Sequence, residues 1–211
     1  MTYQLAIFDF DGTLADSFAF FLATHDTLAR RHGFAPIDAA RIGEYRGMEP
    51  RDIMRRQGVP MWKLPFIARD FVGIMANDGA DVRAFTGIAE VLPVLARGGL
   101  KLAIVTSNSE HNVRRVLGPE VMAHICLVDS GAHLFGKRRR LERVMKHCGE
   151  APRTTIYIGD QTTDGHAARE AGIAFGAVPW GYASAELLAG LPPDLMFADV
   201  QDLSRLITPD S

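Results

Sequence analysis

Two aspartates separated by one residue, Asp9 and Asp11, follow the apolar run 5–8 and precede Gly12. On a continuing strand they would share one face, and the glycine lets the backbone turn sharply after them. Their carboxylates would converge on one point, where they could act as a nucleophile, an acid or metal ligands. The alternative is a pair of solvated aspartates in an ordinary Asp-Gly turn.

A second acidic pair helps to decide between these interpretations. Asp160 and Asp164 follow the apolar run 156–158 and stand where the next helix would begin. Four carboxylates at one sheet edge repel one another unless a hard cation neutralises them, and Mg²⁺ prefers such oxygens with water and phosphate. The sequence therefore predicts a Mg²⁺ site formed by Asp9, Asp11, Asp160 and Asp164. Alone, Asp164 would more often be a helix cap.

Three polar residues, Thr106, Ser107 and Asn108, end the apolar run 102–105 and lead into a predicted helix. Their hydroxyls, amide and free backbone N–H groups would point to the same edge as the carboxylates. This arrangement suits an anion such as phosphate. Taken alone, the trio would be an ordinary helix N-cap.

Lys137 begins the next predicted helix, where its ammonium could neutralise both a carboxylate and a phosphate oxygen. A helix N-terminus is otherwise a poor place for a cation. The cations that come after it lack interleaved aromatic residues for base stacking, so we interpret them as a solvated face without a function. These residues are Arg138, Arg139, Arg140, Arg143 and Lys146.

Short apolar runs and helical patterns alternate along most of the chain. The runs at residues 5–8, 102–105, 125–128, 156–158 and 173–178 predict buried strands. Between the last four runs, segments 110–117, 137–148 and 164–171 place apolar residues three and four apart, as amphipathic helices do. The predicted fold class is α/β, with a Rossmann-like parallel sheet. Such sheets bind ligands beyond the carboxyl ends of their strands, where the aspartates and the polar trio fall.

The stretch between the first two strands interrupts this alternation. It carries two helical stripes and no convincing strand, and Asp16 and Ser17 could cap the first helix. We predict an inserted helical cap domain over residues 15–83, hinged at 14–16 and 79–87, and a catalytic core formed by residues 1–14 and 84–211. The stripes are Phe18, Phe21, Leu22, His25 and Leu28, then Leu64, Ile67, Ala68, Phe71 and Met75.

The overall composition excludes several classes of partner. The 211 residues carry 23 Lys and Arg against 25 Asp and Glu, so the net charge of −2 offers no field to attract nucleic acid or an anionic membrane. No run approaches the roughly 18 apolar residues of a membrane span. Cys126 and Cys148 have no metal-binding spacing and fit a reducing compartment. We expect a cytoplasmic monomer or homodimer with no nucleic-acid or membrane partner.

Four motifs, in this order and spacing, resemble those of the haloacid dehalogenase-like hydrolase superfamily. Each is common by itself, but four at the ends of the appropriate elements are not. The resemblance covers nearly the whole chain, and the helical insert is similar to the cap of the phosphoglycolate phosphatase-like group. The motifs are Asp9-x-Asp11-Gly12-Thr13, Thr106, Lys137 and Gly159-Asp160-x-x-x-Asp164.

The resemblance implies a two-step reaction. Asp9 would attack phosphorus and become an aspartyl phosphate. Asp11 would protonate the leaving oxygen and then deprotonate the water that hydrolyses this intermediate. Relatives that cleave carbon–halogen bonds or phosphonates generally lack an acid at the position of Asp11, so a phosphate ester is the favoured substrate.

The resemblance also implies the residues that bind phosphate and metal. Thr106, Lys137 and nearby backbone amides would hold the phosphoryl oxygens. Mg²⁺ would bind the Asp9 carboxylate, the Asp11 backbone carbonyl and Asp160. Asp164 would lie directly behind these ligands or would be a further ligand. Many relatives place a proline after the motif lysine, whereas Arg138 follows Lys137 here. Arg138 to Arg140 are the only nearby cations that could take its role.

The insert would choose the substrate. Candidate specificity residues are His25 on the first helix, and Tyr45 and Arg46 beside Gly47 in a predicted turn. Arg46 could pair with a second anionic group on a substrate. For each residue, helix packing or a solvated surface is an equal alternative. Trp180-Gly181-Tyr182 also resembles a loop of the phosphoglycolate phosphatase-like group, and core packing is again an alternative.

Three functions are compatible with these motifs. The favoured one is a phosphatase acting on a small phosphorylated metabolite, such as phosphoglycolate or a sugar phosphate. A phosphosugar mutase would keep both Asp9 and Asp11 but transfer the phosphoryl group to a second sugar hydroxyl. A non-catalytic interaction protein on this fold would usually lack one motif carboxylate, and all four are present.

Overall fold

The computed structural model describes residues 3–131 and 136–207. Residues 1–2 and 208–211, at the ends of the predicted core, lie outside that range, as do residues 132–135. The described strands are β1 (Leu5–Phe8), β2 (Lys101–Val105), β3 (Ile125–Asp129), β4 (Thr155–Gly159), β5 (Ala174–Ala177) and β6 (Leu195–Met196). They form one parallel sheet in the order β3-β2-β1-β4-β5-β6.

The central strand β1 is apolar at every position because helices cover both faces of the sheet. All four of its residues are fully buried, and alternate side chains enter different clusters. Ala6 and Phe8 pack in the cluster with α5 (Ile88–Arg97) and α6 (Glu110–Met122). Leu5 and Ile7 pack in the cluster with α7 (Lys137–Cys148) and α8 (Thr162–Ala171). The predicted α/β, Rossmann-like fold is confirmed.

The apolar runs located the strands well, and the largest differences concern helices. β1 and α7 have the predicted bounds, whereas α6 extends to Met122 past a kink at Gly118, whose φ is 74°. The helices α5 and α9 (Ala185–Ala189) and the strand β6 were not predicted. β6 has only two residues and α9 only five, so neither offers a readable period.

The segment between β1 and α5 is helical, as the two stripes predict. It contains α1 (Phe18–His32), α2 (Ile42–Arg46), α3 (Pro50–Arg56) and α4 (Leu64–Asp78). Its two connections pair with each other, since Asp16 N–H donates to Arg83 O and Phe85 N–H donates to Leu14 O, both at 2.9 Å. None of the described helices is long and apolar enough to cross a membrane.

The predicted helix cap at Ser17 is wrong. Ser17 is the residue before α1, but its side chain makes no capping hydrogen bond. Its hydroxyl instead lies 3.1 Å from the hydroxyl of Tyr182, in the loop after β5. A tertiary partner has taken the group that a local pattern would assign to the helix.

Candidate active site

The carboxyl ends of neighbouring strands bring three aspartates together. Asp9 follows β1 and Asp160 follows β4, and these strands pair in register from Leu5 with Thr155 to Phe8 with Ile158. Asp164 lies in the first turn of α8. Each of the three offers an oxygen within 4.8 Å of the others, and all three side chains are buried. Asp9, Asp160 and Asp164 are hereafter called the acidic cluster.

Lys137 is the cation that contacts the acidic cluster. Its Nζ lies 3.0 Å from Asp9 Oδ2 and 2.6 Å from Asp164 Oδ1. Of the neighbouring arginines, Arg138 is exposed and pairs with Glu142 on its own helix, and Arg139 is exposed as well. Lys137, the first residue of α7, therefore places its ammonium group in the site, and its shorter contact is with Asp164 of α8.

Burial makes the negative charge in this site costly. It raises the pKa of Asp9 to about 7, against the opposing attraction of Lys137. Burial, followed by the charges of Asp164 and Asp9, holds the pKa of Asp160 well above its usual range. Burial alone would lower the pKa of Lys137, but the charges of Asp164 and Asp9 raise it well above normal. The ammonium thus stays charged, and the carboxylates need still more positive charge.

Asp11 follows Asp9 by two residues, and one of its carboxylate oxygens has no hydrogen-bond partner among the described residues. Its Oδ2 accepts a 2.9 Å hydrogen bond from Asn108 Nδ2, whereas Oδ1 is buried and has no hydrogen-bond partner among the described residues. Burial raises the pKa of Asp11, and the bond from Asn108 opposes this rise. An unpartnered buried oxygen is expensive, so it marks a position where a ligand is expected.

The trio after β2 orients Asp11 and leaves fewer free groups than predicted. Asn108 N–H donates to Thr106 Oγ1 at 2.9 Å, so that amide is not free for an anion. The Asn108 side chain accepts from Ser109 N–H at 2.8 Å while it donates to Asp11. Ser107 is half-buried. The residue that caps α6 is Ser109, whose Oγ accepts from Asn112 N–H.

Four polar groups to which the motifs assign no role hold the acidic cluster. Thr13 Oγ1 donates to Asp160 Oδ1 at 3.0 Å, and Tyr182 N–H donates to Asp160 Oδ2 at 2.7 Å. Tyr157 Oη donates to Asp164 Oδ1 at 3.2 Å, and Gln161 N–H donates to Asp164 Oδ2 at 3.0 Å. The motif containing Thr13 and the Trp-Gly-Tyr loop were the only sequence signals for these contacts.

Gly12 is required where the chain turns away from the cluster. Its φ is +78°, and a Cβ at this position would collide with the Asp160 carboxylate and lie 2.5 Å from the Tyr182 ring. The glycine therefore serves both the turn and the close approach of the loop after β5.

Arg140 is not part of a solvated face, so that interpretation is wrong for this residue. Its side chain is buried, and its guanidinium donates to Asp129 Oδ1 at 2.7 Å and to Thr106 O at 2.8 Å. These bonds tie α7 to the ends of β2 and β3. No sequence signal points to this role, because Arg140 differs from exposed Arg139 only in which side of α7 it occupies.

The candidate specificity residues lie away from the acidic cluster. His25 is buried and bonds to Gln57 at 3.1 Å and to Ile37 N–H at 3.3 Å. Tyr45 is buried beneath the Arg56 guanidinium. Arg46 donates to Gly181 O at 2.8 Å and to Tyr182 O at 3.2 Å, so it joins the insert to the loop after β5. Their predicted role in specificity stays a prediction.

Comparisons with known proteins identify the family and the fold of this chain. The family model for haloacid dehalogenase-like hydrolases matches residues 6–178. The chain is 31% identical over 206 residues to phosphoglycolate phosphatase of Synechococcus elongatus, with 97% of each chain covered. It is 25% identical to phosphoglycolate phosphatase 1 of Pseudomonas aeruginosa, over 95% of this chain and 78% of the relative. A haloacid dehalogenase-like family hydrolase from Streptococcus pneumoniae has a similar fold, with a TM-score of 0.77 at 20% identity, covering 98% of this chain and 99% of the other.

The buried contacts of Arg140 generate a stability prediction. Arg140→Met should lower the free energy of unfolding by about 2 to 4 kcal/mol, because Asp129 Oδ1 and the Thr106 carbonyl lose their donor while Arg143 still pairs with Asp129 Oδ2. Arg139→Met, one position away and exposed, should change it by less than about 0.5 kcal/mol. Urea denaturation followed by circular dichroism measures both. Equal losses in the two variants would contradict the structural role of Arg140.

Proposed function

Since this chain belongs to the haloacid dehalogenase-like hydrolase family and is a phosphatase, we propose that it hydrolyses small-molecule phosphate monoesters in a Mg²⁺-dependent reaction through an aspartyl phosphate on Asp9. The substrate class includes phosphoglycolate-like esters and sugar phosphates. The two cysteines are free thiols, which fits a reducing cytoplasmic setting.

One observation carries the proposal: a buried nucleophile candidate and a half-buried acid candidate share one strand end. Asp9 has its negative charge held by Lys137 at 3.0 Å, and Asp11, two residues on, keeps Oδ1 without a partner among the described residues. Lys137 together with a bound cation would keep Asp9 charged when a phosphoryl group meets it, and a second carboxyl lies beside it for the leaving oxygen.

The donor set of the acidic cluster fits Mg²⁺. Its three carboxylates are buried within 4.8 Å of one another, and Lys137 supplies one positive charge to them. Hard carboxylate oxygens with space for water and phosphate are the ligands that Mg²⁺ takes at phosphoryl-transfer sites. Asp9, Asp160 and Asp164, with the Asp11 backbone carbonyl, would hold the ion. When bound, Mg²⁺ would neutralise phosphoryl oxygens and offset the repulsion among the carboxylates.

The chain's own residues divide the reaction into two displacements. Asp9 attacks phosphorus and forms the aspartyl phosphate while Asp11 gives its proton to the leaving oxygen. Asp11 then takes a proton from the water that attacks the phosphorus of this intermediate, which regenerates Asp9. The raised pKa of Asp11, caused by burial, suits a carboxyl that must hold a proton before it gives it away.

Lys137 and Thr106 would hold the phosphoryl oxygens during both steps. Lys137 is fixed by two carboxylates, so its ammonium requires little reorganisation when charge develops on the phosphoryl group. Thr106 Oγ1 accepts the Asn108 N–H, which leaves its own O–H as a donor. Ser107 and Asn108 remain proposed neighbours of the phosphate, with Asn108 also orienting Asp11.

The proposed nucleophile generates a kinetic prediction. Asp9→Asn should lower kcat for acetyl phosphate or a simple alkyl phosphate at least about 10³-fold, because an amide oxygen cannot form the covalent intermediate. Release of inorganic phosphate measures the rate, and unchanged circular dichroism checks the fold. Asp26→Asn, an exposed substitution on α1, is the matched control and should retain full activity. Wild-type rates in Asp9→Asn would overturn the assignment.

The proposed metal site generates a second prediction. Removal of divalent cations with EDTA should abolish phosphate release, and added Mg²⁺ should restore it. Asp160→Asn should raise the Mg²⁺ concentration for half-maximal activity by about 10- to 100-fold, since it weakens one ligand and disturbs its hydrogen-bonded neighbours. A Mg²⁺ titration of initial rates measures this value. Activity that is indifferent to EDTA would contradict the metal role of the acidic cluster.

A further inference from the structure

A cavity of about 340 Å³ lies among α1, α2, α3, α4 and the loop after β5. Its walls are mostly aliphatic and aromatic, including Phe21, Leu22, Ile53, Met54 and Leu64. Ligand pockets in proteins begin at roughly 300 Å³, and an apolar cavity of about 150 Å³ is enough to hold benzene. This space, hereafter called the cap cavity, is therefore large enough for a substantial part of a small molecule.

Most polar side chains that line the cap cavity already have hydrogen-bond partners. His25 bonds to Gln57 and Ile37, and burial lowers its pKa, which favours the neutral ring. Arg46 is the only permanently charged residue among the described lining residues, and its guanidinium donates to the carbonyls of Gly181 and Tyr182. A carboxylate entering the cavity would find no free cation among these residues, so it would lose its hydration without compensation.

The cap cavity adjoins the active site at Tyr182. This residue lines the cavity, and its backbone N–H donates to Asp160 Oδ2 at 2.7 Å. Its hydroxyl lies 3.1 Å from Ser17 Oγ, and its ring packs close to Gly12. Gln161 and Thr162, directly after Asp160, also line the cavity. The Tyr182 ring thus forms a wall shared by the cavity and the acidic cluster.

We propose that the cap cavity binds the leaving group of the substrate, and that this leaving group is apolar: an alkyl or aryl alcohol rather than a hydroxy acid or a sugar. The proposal rests on the proposed phosphatase function, and within phosphate monoesters it favours esters of apolar alcohols over the phosphoglycolate-like esters and sugar phosphates named there. The phosphoryl group lies at Asp9, and the apolar part of the ester extends past Tyr182 into the cavity. Burial of each additional methylene there strengthens binding, whereas a carboxylate or a row of hydroxyls weakens it.

Hydrolysis of hexyl phosphate and ethyl phosphate tests this proposal, because the two leaving alcohols differ in apolar length and scarcely in chemical reactivity. We expect kcat/KM for hexyl phosphate to exceed that for ethyl phosphate, and that for phosphoglycolate, by at least about tenfold, mainly through KM. Equal values, or a preference for phosphoglycolate, would overturn the apolar leaving group while leaving the phosphatase intact. Failure to release phosphate from these esters and from acetyl phosphate would instead overturn the proposed function itself.

Variants that fill the cap cavity test whether the apolar part of the ester binds there. Leu22→Trp should abolish the preference for hexyl phosphate, because it should lower kcat/KM for hexyl phosphate at least about tenfold more than that for ethyl phosphate. Ala23→Trp, on the exposed side of the same helix, is the matched control and should retain the preference. Met54→Trp provides a second cavity-filling variant on α3 should Leu22→Trp fail to fold. Retention of the preference in a folded cavity-filling variant would contradict binding at this position.

A separate observation concerns the two cysteines, which no sequence pattern pairs. Cys126 lies in β3 and Cys148 is the last residue of α7, and their Sγ atoms are 3.1 Å apart although both are free thiols. A disulfide has its sulfurs about 2.05 Å apart, so a shift of about 1 Å would allow the bond. Cys126 is exposed, and an oxidant can reach it.

We infer that Cys126 and Cys148 form a reversible disulfide when the protein meets a peroxide. Cys126 sulfur attacks one peroxide oxygen, giving a sulfenic acid and releasing water from hydrogen peroxide. Cys148 sulfur then attacks the sulfenic sulfur, and the second water leaves as the S–S bond forms. The two thiols are oxidised by two electrons and the peroxide is reduced by the same two. A dithiol reductant reverses the bond.

Thiol titration of the folded protein tests this inference. Hydrogen peroxide should remove both titratable thiols together, and a tryptic digest should contain the peptides of Cys126 and Cys148 joined. Dithiothreitol should restore both thiols. In Cys126→Ser, the remaining Cys148 should react far more slowly, since it is half-buried and has lost its neighbour. Oxidation of each cysteine separately to sulfinic acid, or cross-links only between chains, would overturn the intramolecular pair.

Discussion

The rest of this structure depends on one constraint, which is the concentration of negative charge at the buried carboxyl edge of the sheet. Asp9, Asp160 and Asp164 approach within 4.8 Å of one another in a place with little water to screen them. Lys137 offsets part of this charge directly. The pKa values of Asp9 and Asp160 are nevertheless raised, first because of burial, so the cost of the buried negative charge is only partly offset. A fold that kept this cluster only for stability would gain little, since buried charges seldom repay their desolvation. The cost is reasonable for a site that binds a cation and a phosphate.

The groups around the cluster come from separate segments, which explains why the core must be rigid. Thr13 and Tyr182 hold Asp160, and Tyr157 holds Asp164 through the phenol on β4. Arg140, on α7, fastens the carbonyl of Thr106 to Asp129. Each of these carboxylates is thereby oriented by partners from other segments of the chain. Such fixed orientation is what electrostatic stabilisation of a phosphoryl group requires, because donors that must rearrange contribute much less.

The helical insert meets this core through polar contacts at several places. Arg46 donates to two carbonyls of the loop after β5 and accepts a 2.8 Å bond at its own carbonyl from Ser184 N–H, and Glu49 accepts from Thr162 at 2.6 Å. The paired connections at Asp16 and Phe85 belong to the same junction, as do the bonds that Asn112 and Arg115 of α6 donate to carbonyls at Val72 and Met75 of α4. The interior of the insert is different, since it is lined largely by apolar side chains. Under the proposals made above, chemistry and substrate choice would rest on different physical bases, with charge in the core and apolar volume in the insert.

By itself, the sequence determined five of the six described strands, the α/β fold class and the residues that carry charge into the site. It could do so because a strand buried on both faces must be apolar throughout, as at residues 5–8, and because the residues after parallel strands all lie at one edge of the sheet. The local pattern also identified Lys137, because a cation is unusual at a helix N-terminus, and the two aspartate pairs, because both follow strands that end at the same edge of the sheet.

Only the tertiary structure decided which groups those residues contact. Ser17 bonds to Tyr182 instead of capping its helix, Arg140 is buried where its neighbour Arg139 is exposed, and Arg46 binds backbone carbonyls. The sulfurs of Cys126 and Cys148 meet although the two residues are 22 positions apart along the chain. The physical reason is common to all four. The spacing of apolar residues along a helix or strand specifies which face of that element a side chain occupies. The partner of the side chain, however, depends on how distant elements pack against that face.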